Sequence, residues 1–137
     1  MMTTVEKVLI LKGIDLFAAV PGEELVAIAL IAEEVRAAAG DTVLEEGDHG
    51  DALYFVVDGK ARVHKGERTV AELGARAVFG ELALLDPGPR SASVEALTDL
   101  TLLRIGRDDF VEILVARPEV PLAVIRMLAR RVRKAIE

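Results

Sequence analysis

The stretch with the densest potential for chemistry runs Phe79-Gly80-Glu81-Leu82-Ala83-Leu84-Leu85-Asp86-Pro87-Gly88-Pro89-Arg90-Ser91-Ala92. It reads as a helical turn over 81–85, then a Pro-Gly loop, then a strand. Gly80 has no Cβ, so a ligand can approach the backbone closely there. A helix start offers N–H groups without intrahelical partners, here those near Leu82 and Ala83. Such groups, aided by the helix dipole, suit a phosphate. Arg90 lies just past the loop and can fold back on the same place, where a guanidinium matches two phosphate oxygens. Ser91 adds a hydroxyl and a backbone N–H. Glu81 is the odd member, because a carboxylate repels phosphate. It suits a hydroxyl donor such as a ribose 2′-OH. One helix start, one arginine and one glutamate together describe a phosphorylated sugar that carries a free hydroxyl.

Other chemistries lack their residues. The 137-residue chain has no cysteine, which removes disulfides and thiolate metal sites. Its two histidines, His49 and His64, cannot build a metal centre that needs several imidazoles. His49 is expected in a solvated turn and His64 on the outward face of a strand. The formal net charge of −6 argues against a general nucleic-acid binder. No apolar run is long enough to span a bilayer. The longest, Leu25 to Ala32, is flanked by Glu23, Glu24, Glu33 and Glu34. No basic region precedes an apolar stretch at the N-terminus, so no secretory signal is visible and the expected location is cytoplasmic.

The elements that must position the segment follow from periodicity. A single domain is expected over 1–137. Residues 1–36 read as helices: a short cluster of Val5, Val8, Leu9 and Leu11, a break at Gly13, then a helix opened by Pro21-Gly22 and Glu23-Glu24. Leu25, Ile28, Ala29 and Ala32 form the buried stripe of that helix. Residues 37–106 read as a β-barrel. Short runs at 42–44, 53–57, 61–64, 69–73, 93–97 and 100–105 are separated by Gly and Asp turns, Gly47 and Gly59 among them. Many short strands at this spacing suggest a closed barrel or jelly roll. Residues 107–137 return to helix, a short one ending near Arg117-Pro118 and a longer one from about Glu119. Leu122, Ile125, Leu128, Ala129, Val132 and Ile136 fall on one face of the longer helix.

The segment over 79–92 closely resembles the phosphate-binding cassette of cyclic-nucleotide-binding domains, the family that includes catabolite activator proteins, protein-kinase regulatory subunits and cyclic-nucleotide-gated channels. A second run, Glu46-Gly47-Asp48-His49-Gly50-Asp51-Ala52-Leu53-Tyr54-Phe55-Val56-Val57-Asp58-Gly59, is similar to the glycine-punctuated hairpin and apolar strand of the same family. Two spaced motifs in the right order are far more specific than a lone glycine pattern. The resemblance implies a jelly-roll barrel with N-terminal helices, an inserted phosphate-binding helix and two C-terminal helices. It implies that Gly80 and Glu81 meet the ribose and that the Leu82 and Ala83 N–H groups hold the cyclic phosphate. Arg90 would pair with the phosphate charge, with Ser91 adding a contact. Serine there is a mild vote for cyclic AMP over cyclic GMP. No cofactor is implied beyond the cyclic nucleotide as ligand.

The resemblance also implies that the last helix closes over the base as a lid. Arg126, Met127, Arg130 and Arg131 are then candidates to cover the purine, the arginines by cation–π stacking. The apolar stripe of that helix suits either packing on the barrel or pairing with its copy in a homodimer. A basic face binding acidic lipid or nucleic acid is a third reading of the helix. About thirty residues follow the barrel, which leaves room for the lid helices but not for a DNA-binding, kinase or channel segment. The effector is therefore expected to be an attached domain or a separate protein of unknown identity. The expected function is a non-enzymatic regulatory sensor. A protein-interaction module that kept the barrel without binding nucleotide is the alternative.

Overall fold

The computed structural model describes all residues, Met1–Glu137. They form two compact units. One comprises Met1–Ala32 with Asp108–Glu137, the other Glu33–Arg107.

The first unit is helical. Helix α1 spans Thr4–Lys12 and opens on a capping box in which the Thr3 hydroxyl accepts from the Glu6 N–H and the Glu6 carboxylate accepts from the Thr3 N–H. Only Leu11 of its expected apolar cluster is buried, while Val5 and Leu9 are exposed. A 3₁₀ turn over Asp15–Phe17 follows. Helix α2 spans Gly22–Ile31, opens at Pro21 as its signals require, and buries Leu25, Ile28 and Ala29. Helix α3 spans Arg107–Ala116 and helix α4 Glu119–Ile136. Phe17 and Phe110 meet at 5.7 Å in the core of the unit.

The second unit holds ten strands: β1 Glu33–Ala37, β2 Thr42–Leu44, β3 His49–Gly50, β4 Ala52–Asp58, β5 Ala61–Lys65, β6 Arg68–Leu73, β7 Val78–Phe79, β8 Gly88–Pro89, β9 Ser93–Ala96 and β10 Leu100–Gly106. They pair antiparallel in two four-stranded sheets, β1-β10-β4-β7 and β2-β9-β5-β6, with a short β3-β8 ribbon. The fold is mainly β with flanking helices, of jelly-roll type, and the sheets are not closed into one hydrogen-bonded barrel. Val56, Ala61, Val94, Ala96, Leu100 and Leu102, drawn from both large sheets, form the core between them. Gly59 makes the β4–β5 turn at φ +101°. A Cβ there would strike the Asp99 carbonyl and lie 3.0 Å from a methyl of Leu100, so only glycine fits.

The structure corrects one expectation and decides two points that the sequence left open. The N-terminal helices do not run to residue 36. Ala32 turns extended at ψ 130°, and Glu33–Ala37 pair along β10 from Glu33 opposite Arg104 to Ala37 opposite Leu100. The charges in that strand mask its alternation. The segments between the longer strands also hide β3, β7 and β8, each two residues long, too short to show a period. Finally, the apolar stripe of α4 is not its buried face. Val120, Ala123, Val124 and Met127 are buried, whereas Leu122, Ile125, Val132 and Ile136 are between 51% and 79% exposed. The reason is the partner element: α4 packs on the 3₁₀ turn of the N-terminal segment, and Arg131 clasps Asp15 through Nε and Nη2 at 3.0 and 2.8 Å. That contact sets the rotation of the helix.

Candidate functional site

The β3–β8 ribbon builds the site from the backbone up. His49 lies opposite Pro89 and Gly50 opposite Gly88. The ladder continues with the Arg90 N–H donating to the Asp48 carbonyl at 2.7 Å and the Gly47 N–H donating to the Arg90 carbonyl at 2.9 Å. The main chain of Arg90 is thus tied on both sides to the glycine-punctuated hairpin. Its side chain reaches β4, where Nη2 donates to the Ala52 carbonyl at 3.1 Å. A guanidinium has five donors, and this one has no carboxylate partner. Partly buried and uncompensated, it favours an anion.

Across from it, β7 ends at Phe79 and the chain turns at Gly80 with φ +75°. The following turn is a 3₁₀ turn of three residues, Leu82–Leu84, anchored by fully buried Leu84 and packed on β4. This is shorter than the expected helix. Its tight i→i+3 bonding means that the Ala83 N–H, expected to be free, donates to the Gly80 carbonyl at 3.1 Å.

Gly80, Glu81, Leu82, Ala83, Arg90 and Ser91 line one cavity of about 450 Å³, within the range of small-molecule sites. The cavity lining is chemically mixed. Glu81, Asp86, Arg90 and Ser91 are its polar lining residues. Leu44, Val63, Val78, Phe79 and Val94 make an apolar wall. Phe79 is held by stacking on Tyr54, with ring centroids 5.1 Å apart and an 8° interplanar angle. Behind that pair, burial works to lower the pKa of Arg104, but its hydrogen bond with Tyr54 and the charges of Tyr54, Glu33 and Asp51 outweigh it and hold the guanidinium pKa above the usual value. The wall escaped sequence reasoning. Its signal was the strand alternation, which places Val63 and Val94 inward, but no single-chain pattern tells a cavity wall from a filled core.

The candidate lid residues lie in the helical unit. Met127 is 6% exposed and belongs to the core of that unit. Arg131 is engaged by Asp15. Arg126 and Arg130 are exposed on α4. His49 is exposed on β3, and a ring nitrogen of His64, Nδ1, lies 2.7 Å from the Gly66 carbonyl oxygen. No group of three or more His, Asp or Glu side chains is placed to hold a metal ion.

A jelly roll with a cavity lined by apolar strand residues, a glycine-rich turn and an arginine is the architecture of a small-molecule binding module. The family model of the cyclic nucleotide-binding domain matches residues 34–117. The Cyclic AMP receptor protein of Thermus thermophilus is 44% identical over 101 residues, covering 70% of this chain and 47% of that relative. The N-terminal domain of a transcriptional regulator from Streptomyces coelicolor superposes with a TM-score of 0.86 at 41% identity, over 92% of this chain and 94% of that one. The regulatory domain of Toxoplasma gondii PKA, crystallised with cAMP, gives a TM-score of 0.74 at 34% identity, over 80% of this chain and 44% of that one. The chain belongs to the cyclic nucleotide-binding domain family and is a regulatory domain of that kind. It spans about half the length of the curated relatives it matches. No helix is long and apolar enough to cross a membrane.

Proposed function

We propose that this domain senses cyclic AMP in preference to cyclic GMP and passes its occupancy to an effector, attached or separate, through its C-terminal helices. The observation that carries the reading is the Arg90 guanidinium, partly buried at a cavity wall with one hydrogen bond and no carboxylate partner. The cyclic phosphate sits against Arg90, Ser91 and the Leu82–Ala83 backbone. The ribose 2′-OH donates to Glu81, and the purine lies along Val63, Phe79 and Val94. Ala83 releases or shares its bond to Gly80 to reach the phosphate. Ser91 and the names of the relatives support the adenine preference. Strand β10 runs directly into α3 at Gly106–Arg107, which gives the covalent route from site to helices. The ligand moves the helices only as far as its affinities for the two arrangements differ. Arg126 and Arg130, exposed on α4, are the side chains available to cover the base.

The exposed stripe of α4 favours a homodimer. Leu122, Ile125, Ala129, Val132 and Ile136 recur at spacings of three and four, the a and d positions of a heptad. Arg126 and Arg133 then take e positions and Leu128 and Ala135 take g. Antiparallel pairing sets arginine beside arginine, whereas parallel pairing sets arginine beside Leu128 or Ala135. Two parallel copies of α4 are therefore favoured.

Isothermal titration of the nucleotide-free protein with cyclic AMP and cyclic GMP tests the reading. One site per chain with tighter cyclic AMP is expected. Arg90→Ala should weaken binding by about 2–4 kcal/mol, the worth of one or two charge-assisted hydrogen bonds. Glu81→Ala should erase the preference for cyclic AMP over its 2′-deoxy analogue. No heat with either nucleotide, or an Arg90→Ala variant of unchanged affinity, would refute the assignment.

A further inference from the structure

Gly50 stands in the β3–β8 ribbon without a backbone reason to be glycine. Its φ lies outside the left-handed region, and a two-residue antiparallel ladder accepts any side chain except at its crowded points. What excludes a side chain is Arg90. A Cβ on Gly50 would meet Nε and lie 2.5 Å from Cζ and 2.7 Å from Cδ of that guanidinium arm. Gly80 borders the same group from the other motif. A Cβ there would lie 2.6 Å from Nη1 and would also strike the Ala52 carbonyl, the acceptor of the Arg90 hydrogen bond. The arm is therefore bounded by two bare α-carbons and tied at Nη2.

The two glycines are not equivalent. At Gly80 the obstacle includes backbone and φ is +75°, so substitution there strains the fold itself. At Gly50 only the far end of a flexible side chain is in the way. A methyl group there can be accommodated if Arg90 leaves its place. We propose that Gly50 is a positioning residue for the phosphate arm: by carrying no side chain it lets the Arg90 guanidinium occupy its place at the cavity, tied to the Ala52 carbonyl. This rests on the reading of Arg90 as the phosphate contact.

The test is a double-mutant cycle of Gly50→Ala and Arg90→Ala, read by titration with cyclic AMP. It is accompanied by the Nε–H NMR resonance of Arg90 without nucleotide. Gly50→Ala should keep the far-ultraviolet circular dichroism of the parent, shift the Arg90 resonance and weaken cyclic AMP binding at least tenfold. In the Arg90→Ala background the same change should alter affinity less than twofold, since the arm it displaces is gone. A loss that persists in that background, or a Gly50→Ala protein with parental affinity and an unmoved resonance, overturns the proposal. If Gly50→Ala does not fold, recovery of folding in the double variant supports the clash, and failure of both overturns it. A parent protein that does not bind cyclic AMP sinks the proposed ligand, while the Arg90 resonance still decides the role of Gly50.

Discussion

Removing Arg117 should destabilise the helical unit through the carboxylate it leaves behind. Glu24, in the first turn of α2, is the one charged residue among the buried set, at 8% exposure. Arg117, between α3 and α4, donates from Nη1 to its Oε2 at 2.9 Å. The pair is lopsided: the Glu24 side chain is 10% exposed and that of Arg117 46%. Breaking a fully buried pair costs about 3–5 kcal/mol. Here water can enter from the arginine side, so the loss reduces to about 1–2 kcal/mol, near the worth of one charge-assisted hydrogen bond. With an unfolding entropy of about 2.1 cal/mol/K per residue, a chain of this size loses roughly 3–4 °C of Tm per kcal/mol. Arg117→Ala should therefore lower Tm by about 3–8 °C. Glu24→Gln should cost under about 1 kcal/mol alone, because the amide still accepts from Arg117. In the Arg117→Ala background the same change should be neutral or stabilising, since it discharges a buried group without a partner. Differential scanning calorimetry of the four proteins reads all of this. A Glu24→Gln cost equal in both backgrounds, or an Arg117→Ala Tm within about 1 °C of the parent, would refute the reasoning. Arg117-Pro118 is the joint where α4 begins, and the pair ties that joint to α2.

Further outcomes follow from the two ends of the helical unit. Ile125→Glu with Val132→Glu places charge on the exposed stripe of α4, where both residues are more than half exposed in one chain, and should give a monomer by light scattering whose Tm no longer depends on protein concentration. A variant that stays dimeric removes the stripe from the interface. At the other end, the backbone and hydroxyl of Thr3 hold the Glu6 carboxyl below its usual pKa. A folded pKa lower than the unfolded one means stability present above about pH 4.5 and lost as pH falls through the folded value. Acid should thus fray α1 from its N-terminus, as NMR shifts of residues 4–8 would report, and Glu6→Gln should flatten that dependence. An unaltered acid profile in the variant would assign the fraying to other groups.

Much of this architecture is written locally. The strands at 42–44, 61–65, 68–73 and 100–106 follow from β-rich runs between Gly and Asp turns, and α2 follows from its proline, its acidic first turn and its apolar stripe. The cassette residues are legible as a cluster, because a glycine turn, a glutamate and a following arginine fall within one short segment, and the structure brings them to one cavity. Local patterns fail where an element's identity belongs to its partner. Strand β1 is a strand because β10 offers it a ladder, not because Glu33-Glu34-Val35-Arg36-Ala37 alternates.

The same division governs the site and the last helix. Sequence alone determines that Arg90 and Gly80 serve one loop, since they flank it within ten residues. It does not reveal that a side chain at Gly50, forty residues before Arg90, would collide with the Arg90 arm, because that collision arises only when β3 and β8 pair and bring the Gly50 α-carbon against the guanidinium. Likewise the apolar periodicity of α4 is a property of the chain, but the periodicity supports two stripes. Which of them is buried depends on how the helix is rotated against the Asp15–Phe17 turn, and rotation about a helix axis is set by packing and by the Asp15–Arg131 clasp, neither of which is encoded within the helix itself.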